Sequence, residues 1–303
     1  MSSILTQSSG DPALDRRLEW ARAYLEEGEA GVAAGMLADL VEEAPRFLAA
    51  WFLLAEAREA GGDRPGAADA YAAVLARDPG DTLGARARLA RLGRGQVTGA
   101  LSPAFVQSLF DQYAPRFDTA LREGLAYRGP ELLLEALRET DTRPFYGRIL
   151  DLGCGTGLAA PLLAPLGAPL IGVDLSPGMV RQAEATGLYG ELHVADMTDF
   201  LSRQPPASAG LLLAADALCY LDDLAPVFAA ARRGLRADGL FAFTVETHDG
   251  DGLILRDTLR YAHGAPLVAG ALAEAGFAVR LMHPATTRTE KGVPVPGLVC
   301  VAG

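Results

Sequence analysis

The chain has 303 residues, room for two domains at about 150 residues each. Half of it is hydrophobic, and 38 acidic residues against 27 basic ones leave a net charge of −11. That is the wrong sign for a general nucleic-acid binder, which needs a basic footprint. The cations are nearly all arginine, Lys291 being the only lysine. The first ten residues lack the basic and apolar regions of a secretory leader. No run of about 18 apolar residues escapes charges and breakers, so no membrane span is expected. Cys154, Cys219 and Cys300 are odd in number and far apart, which sets up neither a disulfide framework nor a zinc site. A reducing cytoplasm and no metal are expected.

Residues 14–47 and 48–81 align on each other at an offset of 34. Pro45 pairs with Pro79, Gly28 with Gly62, Ala33 with Ala67, Ala21 with Ala55, Trp20 with Leu54, Leu37 with Tyr71 and Val41 with Leu75. Apolar residues recur at helical spacing, as in Ala50, Leu53, Leu54 and Ala57. Period and residue order resemble the tetratricopeptide repeat, in which two helices meet through small residues and a proline closes the unit. A third helix over 82–92, carrying Arg86, Arg88 and Arg91, is expected to cap the stack. Two repeats fall short of the three or so needed for independent stability. Residues 1–95 should therefore lean on another domain, a partner subunit or a bound protein. Either a docking groove or a dimerising appendage fits.

Residues 96–102 read as a linker ending at Ser102-Pro103, and a second domain is expected over 103–303. It opens with an amphipathic run, Ala104–Phe117, whose aromatics Phe105, Phe110, Tyr113 and Phe117 share a face. Then comes Ile149-Leu-Asp151-Leu-Gly153-Cys-Gly155-Thr-Gly157, an apolar strand leading into three glycines. A dinucleotide fingerprint would place its third glycine at 158, which is leucine. The tighter spacing suits a ligand laid along the backbone with no pyrophosphate to seat.

Two further strands end in acids. Leu170-Ile-Gly-Val-Asp174 is followed by Ser176-Pro177, which serve as helix cap and first-turn residue. Asp174 should thereby be available to two ribose hydroxyls, with Leu175 and Met179 against an adenine face or simply in the core. Leu192-His-Val-Ala-Asp196-Met197 also ends in an acid, suited by its position to a helix N-cap.

These motifs resemble the class I S-adenosylmethionine-dependent methyltransferases. With the repeats, the whole chain is similar to a bacterial family of methyltransferases that carry tetratricopeptide repeats. The resemblance implies an α+α/β chain: all-α hairpins, then a Rossmann-like domain. Its mostly parallel seven-stranded sheet has an antiparallel last strand. S-adenosyl-L-methionine is the implied cofactor and S-adenosyl-L-homocysteine its product. Tyr113, Asp151, Gly153, Gly155, Gly157, Asp174, Leu175, Met179, Asp196, Met197 and Ala215 are the implied cofactor contacts.

The acceptor half is less legible. The strand 209–215 leads into Asp216-Ala-Leu-Cys-Tyr220, which lacks the Asn/Asp-Pro-Pro-Tyr of amino-directed methyltransferases. Asp216, Tyr220, Glu246 and His263 are the candidate catalytic residues, with His248 also within the list of possible bases. Asp222 or Asp223 is expected to cap the next helix. Methyl transfer to a small molecule or to a protein held by the repeats is the expected function. A cofactor-binding adaptor without turnover is the alternative.

Overall fold

In the computed structural model, which describes residues 8–119, 126–290 and 292–303, Asp11 caps the first helix by accepting the Ala13 N–H. The N-terminal ten residues in part, and Lys291, lie outside the described residues. The chain forms two compact units, 1–108 and 109–303. Their division falls inside a helix, several residues beyond the Ser102-Pro103 boundary expected from composition.

The first unit is α1 (Pro12–Glu26), α2 (Ala30–Glu43), α3 (Leu48–Ala60), α4 (Arg64–Arg77) and α5 (Ala85–Arg91). Helix α4 begins and ends 34 residues after α2. Gly28 and Gly62 both have positive φ, and each hairpin turn closes with the same bonds: Glu29 N–H to Tyr24 O and Asp63 N–H to Arg58 O, both 2.8 Å. Ala21, Ala33, Leu37, Ala55, Ala67 and Tyr71 are fully buried, as their pairing implies. Trp20 is the exception. It is exposed, whereas its counterpart Leu54 is buried. Helix α3 packs on α2, while no described helix precedes α1. Helix α5 starts later than expected because Asp81, at φ +56°, accepts the Ala85 and Arg86 N–H groups and sets its N-terminus.

In the second unit come α6 (Pro103–Tyr113, shared across the division), α7 (Phe117–Thr119), α8 (Gly129–Thr140), β1 (Ile149–Leu152), α9 (Ala160–Leu163) and β2 (Leu170–Asp174). Next are α10 (Pro177–Ala185), β3 (Glu191–Val194), α11 (Met197–Arg203), β4 (Ala209–Ala214), α12 (Ala225–Gly234) and β5 (Leu235–Glu246). The unit ends with β6 (Leu253–Leu255), β7 (Tyr261–His263), α13 (Ala265–Glu274), β8 (Val279–Ala285), β9 (Thr289–Glu290), β10 (Val293–Pro294) and β11 (Gly297–Ala302).

Seven strands run in the order β3-β2-β1-β4-β5-β11-β8. All neighbouring pairs are parallel up to β5, and β11 is antiparallel to both β5 and β8. The last strand is thus the antiparallel one, as the resemblance implies. Strands β1, β4 and β11 are buried along their whole length, which is why they read as apolar runs, broken in β1 only by Asp151. One sheet face packs on α11, α12 and α13, the other on α8 and α9.

Two additions were not legible. The segment Arg260–His263 contains strand β7, which pairs with β5 at Glu246 and with β6. Beyond β8 a short hairpin, β9–β10, holds Glu290.

Candidate functional site

The glycine loop starts where β1 ends. Gly153, Gly155 and Gly157 have φ of +68°, +55° and +88°, the left-handed region that only glycine enters without strain. Each has a separate neighbour. A Cβ on Gly153 would sit 2.5 Å from the Cβ of Ala217, and one on Gly157 would meet Thr186 and Tyr189 at 3.1 Å. At Gly155, among the described residues, only the Phe117 ring comes near, at 3.8 Å. The middle glycine thus faces open space, and the outer two are packed.

Asp174 is tied to this loop. Its Oδ2 accepts the Gly155 N–H at 2.9 Å and its Oδ1 the Ser176 N–H at 2.8 Å. Ser176 and Pro177 do cap and open α10 as expected, and Asp174 nevertheless carries backbone bonds of its own. A carboxylate has about four lone-pair sites, so both oxygens retain acceptor capacity. Burial, followed by the charge of Asp111, pushes the Asp174 carboxyl upward against those N–H bonds. Asp151 is buried under Tyr189, whose hydroxyl donates to Oδ2 at 2.6 Å. Burial raises its pKa to about 7, with the Asp174 charge adding to the rise.

Two carboxylates that the sequence did not single out tie the segment from α6 to α7 to both loops. Asp111 accepts from Ser176 Oγ at 2.6 Å and from the Gly178 N–H at 2.8 Å. Asp118 accepts from Thr156 Oγ1 at 2.5 Å. Local sequence carried no signal for either, because their partners are 38 or more residues away. Tyr113 is exposed on the same segment, with the Arg116 guanidinium 5.2 Å from its ring.

The other expected cofactor residues divide. Met197 lies beside the loop, its methyl 3.7 Å from the Gly153 Cβ position. Leu175 and Ala215 are half-buried at the strand ends. Asp196 caps α11, accepting the Thr198 and Asp199 N–H groups at 2.8 and 3.0 Å through Oδ1. Met179 is wholly buried in the core, the position a ligand face would have to share.

The loop fits a cationic ligand on its own evidence. A cradle that one Cβ would fill lies at Gly155. Around it gather Asp111, Asp118, Asp151 and Asp174, and burial holds two of these above the usual carboxylate range. A nearby positive charge relieves such groups. S-adenosylmethionine carries a sulfonium and an ammonium.

The matching family model, described as a methyltransferase domain, covers residues 150–243. This is a class I S-adenosylmethionine-dependent methyltransferase domain. Among curated relatives, human methyltransferase-like protein 27 is 42% identical over 99 residues, 31% of this chain and 40% of that protein. Trans-aconitate 2-methyltransferase of Pseudomonas aeruginosa is 42% identical over 79 residues, 25% and 27% of the two chains. A ubiquinone biosynthesis O-methyltransferase of Xanthomonas oryzae is 30% identical over 102 residues, 32% and 43%. The chain therefore spans well under half of the curated relatives it matches. Among solved structures, a Burkholderia thailandensis 1,6-didemethyltoxoflavin-N1-methyltransferase has 20% identity and a TM-score of 0.53, covering 66% of this chain and 87% of that one. That likeness speaks for the fold.

At the carboxyl ends of β4 and β5 the methyltransferase domain holds a second group of side chains. Asp216, at φ +51°, accepts from Thr244 Oγ1 at 2.7 Å and from Thr287 Oγ1 at 2.8 Å. Arg288, 2% exposed, bonds Glu246, itself 3% exposed, and lies 3.1 Å from Glu290 and 3.6 Å from Asp216. Arg260 donates from Nε to the Tyr220 hydroxyl at 2.7 Å and from Nη1 to Glu290 at 2.8 Å. Arg256 stands 3.2 Å from Glu246 Oε2. Three arginines thus face three carboxylates. Burial pushes the Tyr220 phenol to about 12 despite Arg260.

Three of the four candidate catalytic residues, Asp216, Tyr220 and Glu246, meet in this network. His263 does not. Strand β7 pairs Ala262 with Glu246, so His263, one residue on, points to the opposite sheet face. It is fully buried, with Nε2 donating to the Leu221 carbonyl at 3.0 Å, and burial lowers its pKa to about 4. His248 is likewise committed to its own loop, bonding Gly252 O and the Gly250 N–H. Asp223 caps the approach to α12 through the Ala225 N–H.

Sequence reasoning missed Tyr127, Thr244, Arg260, Thr287 and Arg288. The Arg128 N–H bonds Thr287 O at 2.8 Å, which sets Tyr127 beside the group. Burial, with the charges of Asp216 and Asp151, raises its phenol well above the ordinary value.

Proposed function

We propose that the chain transfers a methyl group from S-adenosylmethionine to a small-molecule or protein acceptor. The observation that carries this is the pairing of Asp174 with the Gly155 N–H beneath an open cradle. Gly153, Gly155 and Gly157 would lie under the methionine portion, Asp174 and Leu175 at the ribose, and Asp196 with Met197 at the base. Asp151 and Tyr113 would stand near the ammonium and carboxylate, with Ala215 beneath the reacting centre. The cofactor, when bound, supplies a methyl on an electron-poor sulfonium. The chain's own task is alignment at near-attack distance.

On the acceptor side Asp216 and Tyr220 are the groups we assign to orient the acceptor. Glu246 holds Arg288 and so sets the Asp216 carboxylate in place. Because His263 faces away and Glu246 is ion-paired, an acceptor that is nucleophilic without a protein base suits this site best. The trans-aconitate and ubiquinone-biosynthesis methyltransferases named above among the relatives support a small-molecule acceptor here.

The first unit we read as tetratricopeptide-like, a docking or dimerising module in the manner of the bacterial repeat-bearing family, working in the cytoplasm. Its helix boundaries and turn bonds at a 34-residue offset support the repeat reading. An adaptor that binds cofactor without turnover is the second reading, favoured by the buried ion pairs that engage Glu246.

Titration calorimetry with S-adenosylmethionine tests the donor half. A release assay with labelled methyl donor, run over small molecules and proteins, tests turnover. No cofactor binding overturns both readings; binding without any methyl release leaves the adaptor.

A further inference from the structure

Helix α1 carries two exposed aromatics one turn apart, Trp20 at 58% and Tyr24 at 40% exposure. No other helix among the described residues exposes two aromatics to that extent. They belong to a stripe of exposed residues: Arg16, Glu19, Trp20, Ala23, Tyr24 and the C-cap residue Glu27. At 3.6 residues per turn these lie on one side of the helix, opposite Leu18 and Ala21, which are buried.

The stripe is a stacking face. In the second hairpin the positions 34 residues on from Arg16, Glu19, Trp20 and Ala23 are Ala50, Leu53, Leu54 and Ala57, and all four are buried. A terminal repeat needs a polar outer face to stay soluble. Arg16 and Glu19 supply that polarity, but Trp20 and Tyr24 keep the surface adhesive. Aromatic anchors ringed by charge are the composition of an interface core.

The stripe also matches itself. Arg16 and Arg17 lie in the first half of α1, Glu26 and Glu27 at its end. A parallel pairing of two such helices sets like charge on like charge. An antiparallel one, around a two-fold axis, sets Arg16 against the partner's Glu27, Trp20 against the partner's Ala23, and Tyr24 against the partner's Glu19. Charge meets opposite charge, and the largest side chain meets the smallest. Each contact occurs twice, as a self-complementary interface requires. At −11 the chains otherwise repel one another, so the paired charges decide which contact survives.

We propose that this face of α1 is a homodimer interface, occupied by α1 of a second copy of the chain in antiparallel register. It covers one helix, about 22 Å long at 1.5 Å per residue, and falls short of the area of a standard stable interface. The dimer is therefore expected to be weak and concentration-dependent.

Sedimentation velocity on the full chain over a concentration series tests it. The wild type should show reversible dimerisation, and Trp20→Glu should abolish it. Arg16→Glu alone and Glu27→Arg alone should each weaken it about tenfold, two charge pairs being reversed at once. Mixing the two single variants should restore dimers, because each then offers the charge the other lacks. All these residues are exposed, and an unchanged thermal midpoint verifies folding. A wild-type monomer throughout, a dimer indifferent to Trp20→Glu, or failure of the mixture to recover overturns the proposal.

Discussion

The Asp174 carboxylate and the Gly155 N–H meet at 2.9 Å, so the acid that ends β2 and the middle glycine after β1 form one unit. The acid fixes the loop at the glycine with open space beside it. In the proposed site, loop shape and cofactor binding would be coupled through this bond. Asp174→Ala removes the acceptor from two backbone N–H groups at once. Calorimetry should show affinity for S-adenosylmethionine or its product lowered more than tenfold. The thermal midpoint should fall by the equivalent of about 1–3 kcal/mol, the cost of an unsatisfied buried donor. Unchanged affinity would falsify the assignment of Asp174 to the donor site.

Gly153→Ala and Gly155→Ala should fail differently. Both demand a left-handed alanine, at a cost of about 1–2 kcal/mol. At Gly153 the new methyl also collides with Ala217 at 2.5 Å, so the fold itself should lose stability beyond that figure. At Gly155 the methyl enters the cradle, so binding should suffer more than the thermal midpoint. Calorimetry and thermal melts on the pair separate the two effects.

Acid–base behaviour is set by two buried groups of opposite sign. Asp151 has a folded pKa of about 7 against an ordinary value near 4. The native state then holds its proton longer than the unfolded one, so this group makes stability fall as pH rises from about 4 to 7. Asp151→Asn should remove that slope. The difference in melting temperature between wild type and variant, followed from pH 4 to 8, is the readout.

His263 works in the other direction. Its pKa of about 4 lies below the unfolded 6.5, so the unfolded state binds the proton first. Stability from this group is complete above pH 6.5 and is lost as pH falls toward 4. His263→Gln should lower the melting temperature at pH 7 yet leave cofactor affinity intact. Loss of cofactor affinity in a folded variant would contradict its place on the far sheet face.

Arg288 is the keystone of the acceptor-side network. Arg288→Met leaves Glu246, Asp216 and Glu290 without their shared cation. Removing one member of a buried ion pair costs about 3–5 kcal/mol. Denaturant titration should show a loss of that order. The double variant Arg288→Met with Glu246→Leu should recover part of it; no recovery would show that the two do not act as a pair.

What the residue order determined by itself was the frame and the local motifs that lead to the proposed donor half. Gly153, Gly155 and Gly157, the strand-end acids Asp174 and Asp196, and the Ser176-Pro177 cap are all local patterns. Each works through its own strand–turn–helix, so spacing alone reveals it. The helical repeat was legible for the same reason: buried alanines at a 34-residue offset reflect packing between neighbouring helices.

Tertiary structure alone decided the rest. Asp111 and Asp118 find Ser176 and Thr156 across the fold, and Arg288 joins Asp216 and Glu246 from three separate segments. Nothing local distinguishes an arginine that will be buried from one left in water. His263 is the clearest case. Its residue type suggests a base, yet the register of β7 on β5 turns it to the other side of the sheet, because a strand alternates its faces at every residue.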